Sequence, residues 1–531
     1  MFYLQIVFVD GQSEICTIRA EELKENVRGM FDGASGLPYL LKLIDTIQRL
    51  GLDYHFHDEI KSALDKMYIS GKDFQNDLTI EALKFRLFRQ HGYEISQDVL
   101  KSVVETTNHS ERKTKDLEGM LSLYEATFYA YEGEEILNEW QLVTSKHLKN
   151  SLKERNDYRS SMSIFLEEEI SHSLELPLLW RAPRMEVRRY INMYEMKQDM
   201  HPSLLELSNL DFNMVQATYQ EDLKYASRWW RDLALDGSLT FAKNRLVESF
   251  LWTVGLNSEP KFGNVRRQVT KIACLATVID DIYDVYGSLD ELKLFTEAVE
   301  RWDINTVENL PHYMKICFFA FYNTVNEMSY EVLRNNNLDV MPYLKKSWVD
   351  ICKAYLLEAS WYYSGYIPTL EEYTNNAWIT VGGPLLSIHA FCQLGYHENI
   401  TEEALECVTN NQSDLMLWSS MILRLADDLA TSKEELERGD VAKSIQCYMH
   451  ETGASESIAR EYVQHLIGAS WKRMNTSLSS SRGVFPSSFI KTNQNIARMG
   501  QYMYQYGDGH GIPDREAKDR IMSMIVKPIT F

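Results

Sequence analysis

The chain has 531 residues, room for two domains of roughly 200 to 300 residues each. It holds 25 glycines and 12 prolines, about 7% of positions where about 12% is usual, and this shortage of turn residues favours long helices over sheets. An apolar content of 45% excludes general disorder, and a formal net charge of −21 repels phosphate backbones and argues against nucleic-acid binding.

No run reaches about 18 apolar residues, so no membrane span is expected. Seven scattered cysteines (Cys16, Cys274, Cys317, Cys352, Cys392, Cys407, Cys447) read as free thiols of a reducing compartment. Asp10 and Glu14 interrupt the first residues and serines are few there, which is unlike a plastid leader. A cytoplasmic location is expected of the chain as it stands.

Along the chain, Phe2 to Val9 is the best strand candidate. Leu40, Leu43, Ile44, Ile47 and Leu50 recur at helical spacing, with Gly51 as the stop. Residues 79–90 read the same way and end at His91-Gly92, and 116–137 reads as another helical region. A polar stretch before Pro202 places a soft domain boundary near Leu210. Residues 257–263, 477–488 and 507–514 carry loop composition, and the last, with three glycines and a proline, reads as a mobile lid.

Two acidic clusters carry the chemistry. Asp280 and Asp284 follow an apolar run and stand four apart, so on a helix they share a face. Such a carboxylate pair suits a hard divalent cation that keeps several waters and shares a phosphate ligand. Asp281 points about 100° away and reads as a supporting residue. Some 150 residues on, Asp427, Thr431 and Glu435 fall at i, i+4 and i+8, two carboxylates and a hydroxyl on one face. Arg424, one turn earlier, is placed to hold a phosphate oxygen. Each cluster alone reads more readily as a solvated helix face; together they point to a metal–diphosphate site.

With these motifs in view, the sequence resembles the plant class I terpene synthases, closest to the angiosperm monoterpene synthases. Asp280-Asp281-Ile282-Tyr283-Asp284 is similar to the family's DDxxD motif, and Asp427 to Glu435 to its second metal motif, with Thr431 in the hydroxyl position. Ser227-Arg228-Trp229-Trp230 and the stretch 241–248 add to the likeness, which runs from about residue 20 to the end. The resemblance implies an all-α fold of two helical domains. Residues 1–209 would form an N-terminal α-barrel-like relic without the Asp-x-Asp-Asp tetrad, and 210–531 a catalytic domain around a central cavity. It implies Mg²⁺-dependent ionisation of geranyl diphosphate, with three ions per site and Mn²⁺ as a substitute. Farnesyl diphosphate, as in nerolidol or farnesene synthases, is the alternative substrate. A monomer with no membrane or nucleic-acid partner is expected.

The resemblance also assigns roles. Asp280 and Asp284 would hold two ions, and Asp427, Thr431 and Glu435 the third. Arg245 and Arg424 would bind diphosphate, with Asp280, Asp284 and Asp427 reaching it through the metals. Trp252 and Tyr504 would line the pocket that shelters the carbocation, and Asp508 and His510 match lid positions. Ala273, Ala276 and Thr277 would leave room for the isoprenoid tail. Pro384, after Gly382-Gly383, should kink a helix and leave carbonyls unpaired toward the cavity.

Two departures stand out. Lys243 occupies the first position of an Arg-x-Arg pair whose second is Arg245, keeping charge but losing the planar fork. No Arg-Arg pair precedes Arg188-Arg189 and no tryptophan precedes Trp140, whereas cyclising relatives carry both near the mature N-terminus. The expected products are therefore acyclic, such as linalool, myrcene or ocimene. The other reading is a truncated, inactive chain whose true start is missing, since residues 1–18 do not resemble the family; its intact form would be plastidial.

Overall fold

A computed structural model describes residues 10–33, 36–71, 77–108, 116–153, 163–239, 241–398, 400–410, 413–438, 441–511 and 515–530. The candidate strand at Phe2–Val9 lies outside them. Helices dominate, and among the described residues the only β pairing is an isolated bridge between Arg482 and Phe485. The chain divides into two units, Met1–Ala217 with Ser523–Phe531, and Thr218–Met522.

In the first unit, α1 (Leu37–Arg49) buries Leu41, Leu43, Ile44 and Ile47 on one stripe. It ends before Gly51, whose φ of +73° and close approach to Val187 exclude a side chain. α2 (Leu78–His91) starts at Asp77, whose carboxylate accepts the Ile80 N–H, and stops at Gly92 in the left-handed region. The expected helix over 116–137 is instead two, Leu117–Thr127 and Glu135–Lys153. Between them the Glu134 carboxylate accepts the Tyr131 N–H and the Arg89 guanidinium, a turn that hydrophobic periodicity does not reveal.

α3 (Ile164–Glu175) and α4 (Pro183–Glu195) bring charge inward: Glu169 accepts from Arg49 and Arg189, and Glu186 from His172. Pro202 opens α5 (Pro202–Leu233), which runs past Leu210. The edge between the units falls within it, after Ala217. The chain's last segment belongs to the first unit: Arg188 donates to the Ser523, Lys527 and Pro528 carbonyls, and Asn213 pairs with Ile529 through both amide groups.

In the second unit, α6 (Leu246–Leu256) packs on α7 (Gly263–Asp281), a helix that buries Val265, Val269, Ile272, Leu275, Val278 and Ile279. α8 (Met341–Ser364) contacts α9 (Leu370–Thr380) and α10 (Gly383–Leu394). α11 (Asp414–Arg438) is the hub, touching α9, α10, α12 (Glu456–Ser481) and α13 (Ser487–Met503). Gly500 lets the α13 and α11 backbones come close: a Cβ there would stand 2.9 Å from the Leu423 Cα. The short α14 (Arg515–Ile521) follows.

The serine-rich segment expected as a loop from Ser477 is helical through Ser481. Ser477, Ser480 and Ser481 bond their hydroxyls to carbonyls three or four residues back, so the helix itself absorbs their polarity. The stretch Leu370–Leu394 has the length and hydropathy of a membrane span, but 83% of that window is buried inside the protein, as core helices are. All seven cysteines are free of disulfides.

Candidate active site

α7 delivers Asp280 and Asp281 at its end, and a π-helical turn, Ile282–Tyr286, carries Asp284. Asp280 is half-buried and Asp284 exposed. Both act on one group, Tyr355 of α8, whose buried phenol is held well above its usual pKa by desolvation and then by these two carboxylates. Asp281 turns elsewhere, to an ion pair with Arg245 at 3.0 Å. Lys243, in the exposed stretch before Arg245, points into solvent.

The second cluster is interior. Arg424 donates through Nε to Asp428 at 2.7 Å and through a terminal nitrogen to Asp427. Asp428 also accepts from the Tyr373 hydroxyl at 3.0 Å and the Ser444 N–H at 3.1 Å. The Thr431 hydroxyl donates to the Asp427 carbonyl at 2.9 Å and lies 3.4 Å from its carboxylate. Glu435 stands 3.8 Å from Lys443. Burial pushes Asp427 up to about 8; Glu435, Asp428 and Asp508 add to this and Arg424 opposes it.

A turn after α13 closes on this cluster. Tyr504 ends the helix, and its phenol is raised well above the usual value by burial and by Asp427 and Asp508. Gly507 has φ +128°, and the Asp508 carboxylate accepts the His510 and Gly511 N–H groups at 3.1 and 2.6 Å. Trp252 of α6 faces Tyr504 and His510 at ring distances of 6.4 and 6.5 Å. His510 Nε2 lies 3.5 Å from the Thr277 hydroxyl, which donates to the Ala273 carbonyl. The turn therefore touches α7 on the face that leads to Asp280. Its further residues, 512–514, lie outside the described ones.

At the α9–α10 break Gly382 has φ +80°. The Ala377 and Ile379 carbonyls accept the Val381 and Gly382 N–H groups, and α10 starts anew at Gly383 with Pro384 in its first turn. Gly383 lies against Ser420 of α11, where a Cβ would meet its Oγ at 2.3 Å.

The structure thus gathers Trp252, Tyr504, Asp508, Asp427, Thr431, Glu435 and Arg424 into one interacting group, and sets Asp280, Asp284 and Arg245 by the end of α7. Sequence reading missed Asp428, although it stands beside Asp427, and Tyr355 and Tyr373, which carry no motif at all. Among the described residues no three acidic, histidine or cysteine side chains form a ready-made metal cage. Mg²⁺ fits such a donor set: its oxygen ligands come as one or two carboxylates, and phosphate and water complete the shell. Burial and the neighbouring carboxylates both disfavour the charged form of Asp427, and a bound cation offsets both.

Two family models match. Residues 4–174 match the terpene synthase N-terminal domain and residues 231–473 the terpene synthase family metal-binding domain. "Terpene synthase 10" of Ricinus communis is 52% identical over 99% of this chain and 95% of its own length. "Myrcene synthase, chloroplastic" of Quercus ilex is 48% identical over 99% of this chain and 87% of its own. A crystal structure of limonene synthase with 2-fluorolinalyl diphosphate superposes with a TM-score of 0.94 at 39% identity, covering 99% of this chain and 97% of that one. Isoprene synthase of Populus x canescens, with three Mg²⁺ ions and dimethylallyl-S-thiolodiphosphate, gives 0.89 at 41% identity, covering 97% and 98%. The site and fold define a metal-dependent lyase of isoprenoid chemistry. The chain belongs to the terpene synthase family.

Proposed function

We propose that this enzyme is a Mg²⁺-dependent monoterpene synthase that ionises geranyl diphosphate. The observation that carries the reading is a buried excess of carboxylate around Asp427, set beside the aromatic rings of Trp252 and Tyr504. One side of the site calls for cations and a polyphosphate; the other is an apolar wall suited to a carbocation.

Asp280 and Asp284 are assigned to one part of the metal set and Asp427, Thr431 and Glu435 to the other, three ions in all. When bound, Mg²⁺ supplies the positive charge that stabilises diphosphate as a leaving group. Arg245 and Arg424 hold diphosphate oxygens, Arg245 while tied to Asp281 and Arg424 while tied to Asp428. Trp252 and Tyr504 present ring faces to the cation, each worth up to about 2 kcal/mol when desolvated. The turn with Asp508 and His510 keeps bulk water out. Mn²⁺, a similar oxygen-preferring ion, substitutes for Mg²⁺ in this reading.

The finer reading is an acyclic C10 product. Its support is the likeness to the myrcene synthase of Quercus ilex, 48% identical over 99% of this chain, myrcene being an acyclic C10 hydrocarbon. Incubation with Mg²⁺ and, separately, geranyl and farnesyl diphosphate, followed by gas chromatography–mass spectrometry, tests both levels. Acyclic C10 volatiles are expected. Mainly cyclic C10 products would overturn the finer reading, and turnover of farnesyl diphosphate alone would overturn the substrate.

A further inference from the structure

The turn Tyr504–Gly511 has no helix or strand of its own, yet it presents three residues to the site. Something must fix it. Internal bonds shape its far half: Asp508 receives two N–H groups, and Gly509 donates to the Gly507 carbonyl. The near half is held from outside, by Arg520 of α14.

Arg520 donates to the Tyr502 carbonyl through one terminal nitrogen and to the Gln505 Oε1 through the other, at 3.0 Å. Its guanidinium carbon lies 4.1 Å from the centre of the Tyr502 ring and 4.9 Å from that of Tyr506. The Tyr502 carbonyl belongs to the last turn of α13, where carbonyls lack helical partners and the helix dipole is negative. One cation thus caps α13, stacks between two rings and grips the residues on either side of Tyr504. Glu516, one turn back on α14 at 3.6 Å, balances the charge and orients the fork.

We infer that Arg520 is a positioning residue, which sets Tyr504, Asp508 and His510 over the reacting substrate without touching it. This rests on the synthase reading and deepens it. A planar fork with two faces is needed for the carbonyl, the amide oxygen and both rings at once; a lysine ammonium offers a point charge and no plane. Displacement of the turn by about 1 Å would misplace the aromatic wall and admit water, and misplacement of that size costs up to about a hundredfold in rate. Water capture of a carbocation forms a C–O bond, with loss of a proton to solvent, and gives an alcohol. Loss of a proton from carbon gives the alkene instead.

The full chain carrying Arg520→Ala, Arg520→Lys or Gln505→Ala tests this. Arg520→Ala is expected to lower kcat about tenfold with KM nearly unchanged, and to raise the alcohol-to-alkene ratio severalfold. Arg520→Lys should recover only part of both, and Gln505→Ala should shift the ratio the same way by less. Amide exchange should quicken across 504–511 in Arg520→Ala and stay unchanged in α7 and α11. An unchanged ratio and unchanged exchange would overturn the inference, as would a fall in kcat that tracks a loss of folded protein. The exchange arm needs no substrate. If the wild-type chain turns over no prenyl diphosphate, the synthase reading fails, and exchange still decides whether Arg520 holds the turn.

Discussion

Arg245 and Asp281 form an ion pair at 3.0 Å that joins the start of α6 to the end of α7. The middle aspartate of the first cluster is therefore occupied with fixing an arginine, and the two flanking it are left to face Tyr355. Asp280→Asn and Asp284→Asn are expected to cut kcat/KM by a hundredfold or more, about 3 kcal/mol. Their half-saturating Mg²⁺ concentrations should rise. Asp281→Asn should instead raise KM for the diphosphate while the Mg²⁺ requirement stays close to wild type. Steady-state kinetics across Mg²⁺ concentrations separate the two patterns.

Asp428 gathers Arg424, Tyr373 and the Ser444 N–H in the interior of the second unit. Asp428→Ala leaves a buried cation short of a partner and is expected to cost about 3 kcal/mol or more. Tyr373→Phe removes one hydrogen bond to a charged group and should cost about 1.5 kcal/mol. Denaturant melts of the two variants check the order; equal losses would contradict the picture of Asp428 as the common acceptor.

Acid should act first on the second unit. Burial lowers His389 to about 4, with Nδ1–H donating to the Leu385 carbonyl and Nε2 accepting from Trp348. The unfolded chain takes up this proton near the ordinary histidine value of about 6.5. Stability from the neutral ring is present above that value and is lost as pH falls from about 6.5 toward 4. The loss amounts to about 1.4 kcal/mol per pH unit.

The first unit should respond at lower pH. Burial alone would raise Glu169, but Arg49 and Arg189 outweigh it and hold it at about 2. Burial likewise opposes the His172 bond and Arg181 at Glu186, also held at about 2. Both folded values lie below the unfolded one, so their stabilisation is complete above about 4.5 and is lost as pH falls toward 2. Calorimetry from pH 7 to 3 should show His389→Gln flattening the upper part of the decline and Glu169→Gln the lower part.

Local signals were the legible ones. Gly51 and Gly92 stop helices because a left-handed residue is cheapest as glycine, and Asp77 caps one because its side chain reaches an orphan N–H. The spacing of Asp427, Thr431 and Glu435 shows in the sequence because an α-helix repeats every 3.6 residues. What escaped depends on long-range packing. Tyr355 and Tyr373 meet the acidic clusters from α8 and α9, and no spacing within one helix encodes that. The serines at 477–481 misled because composition suggests a loop, whereas hydroxyls can bond back to their own helix. The end segment beyond Ser523 joins the first unit through backbone carbonyls, which any residue supplies.

The account depends on both acidic clusters acting together on one metal–diphosphate group. Release of diphosphate from geranyl diphosphate in a single turnover measures this directly, for wild type, Asp280→Asn and Asp427→Asn, with and without Mg²⁺. The account predicts a Mg²⁺-dependent burst in the wild type, abolished by chelation and reduced at least a hundredfold in each variant. A burst that survives chelation, or that either variant retains at full rate, would contradict it.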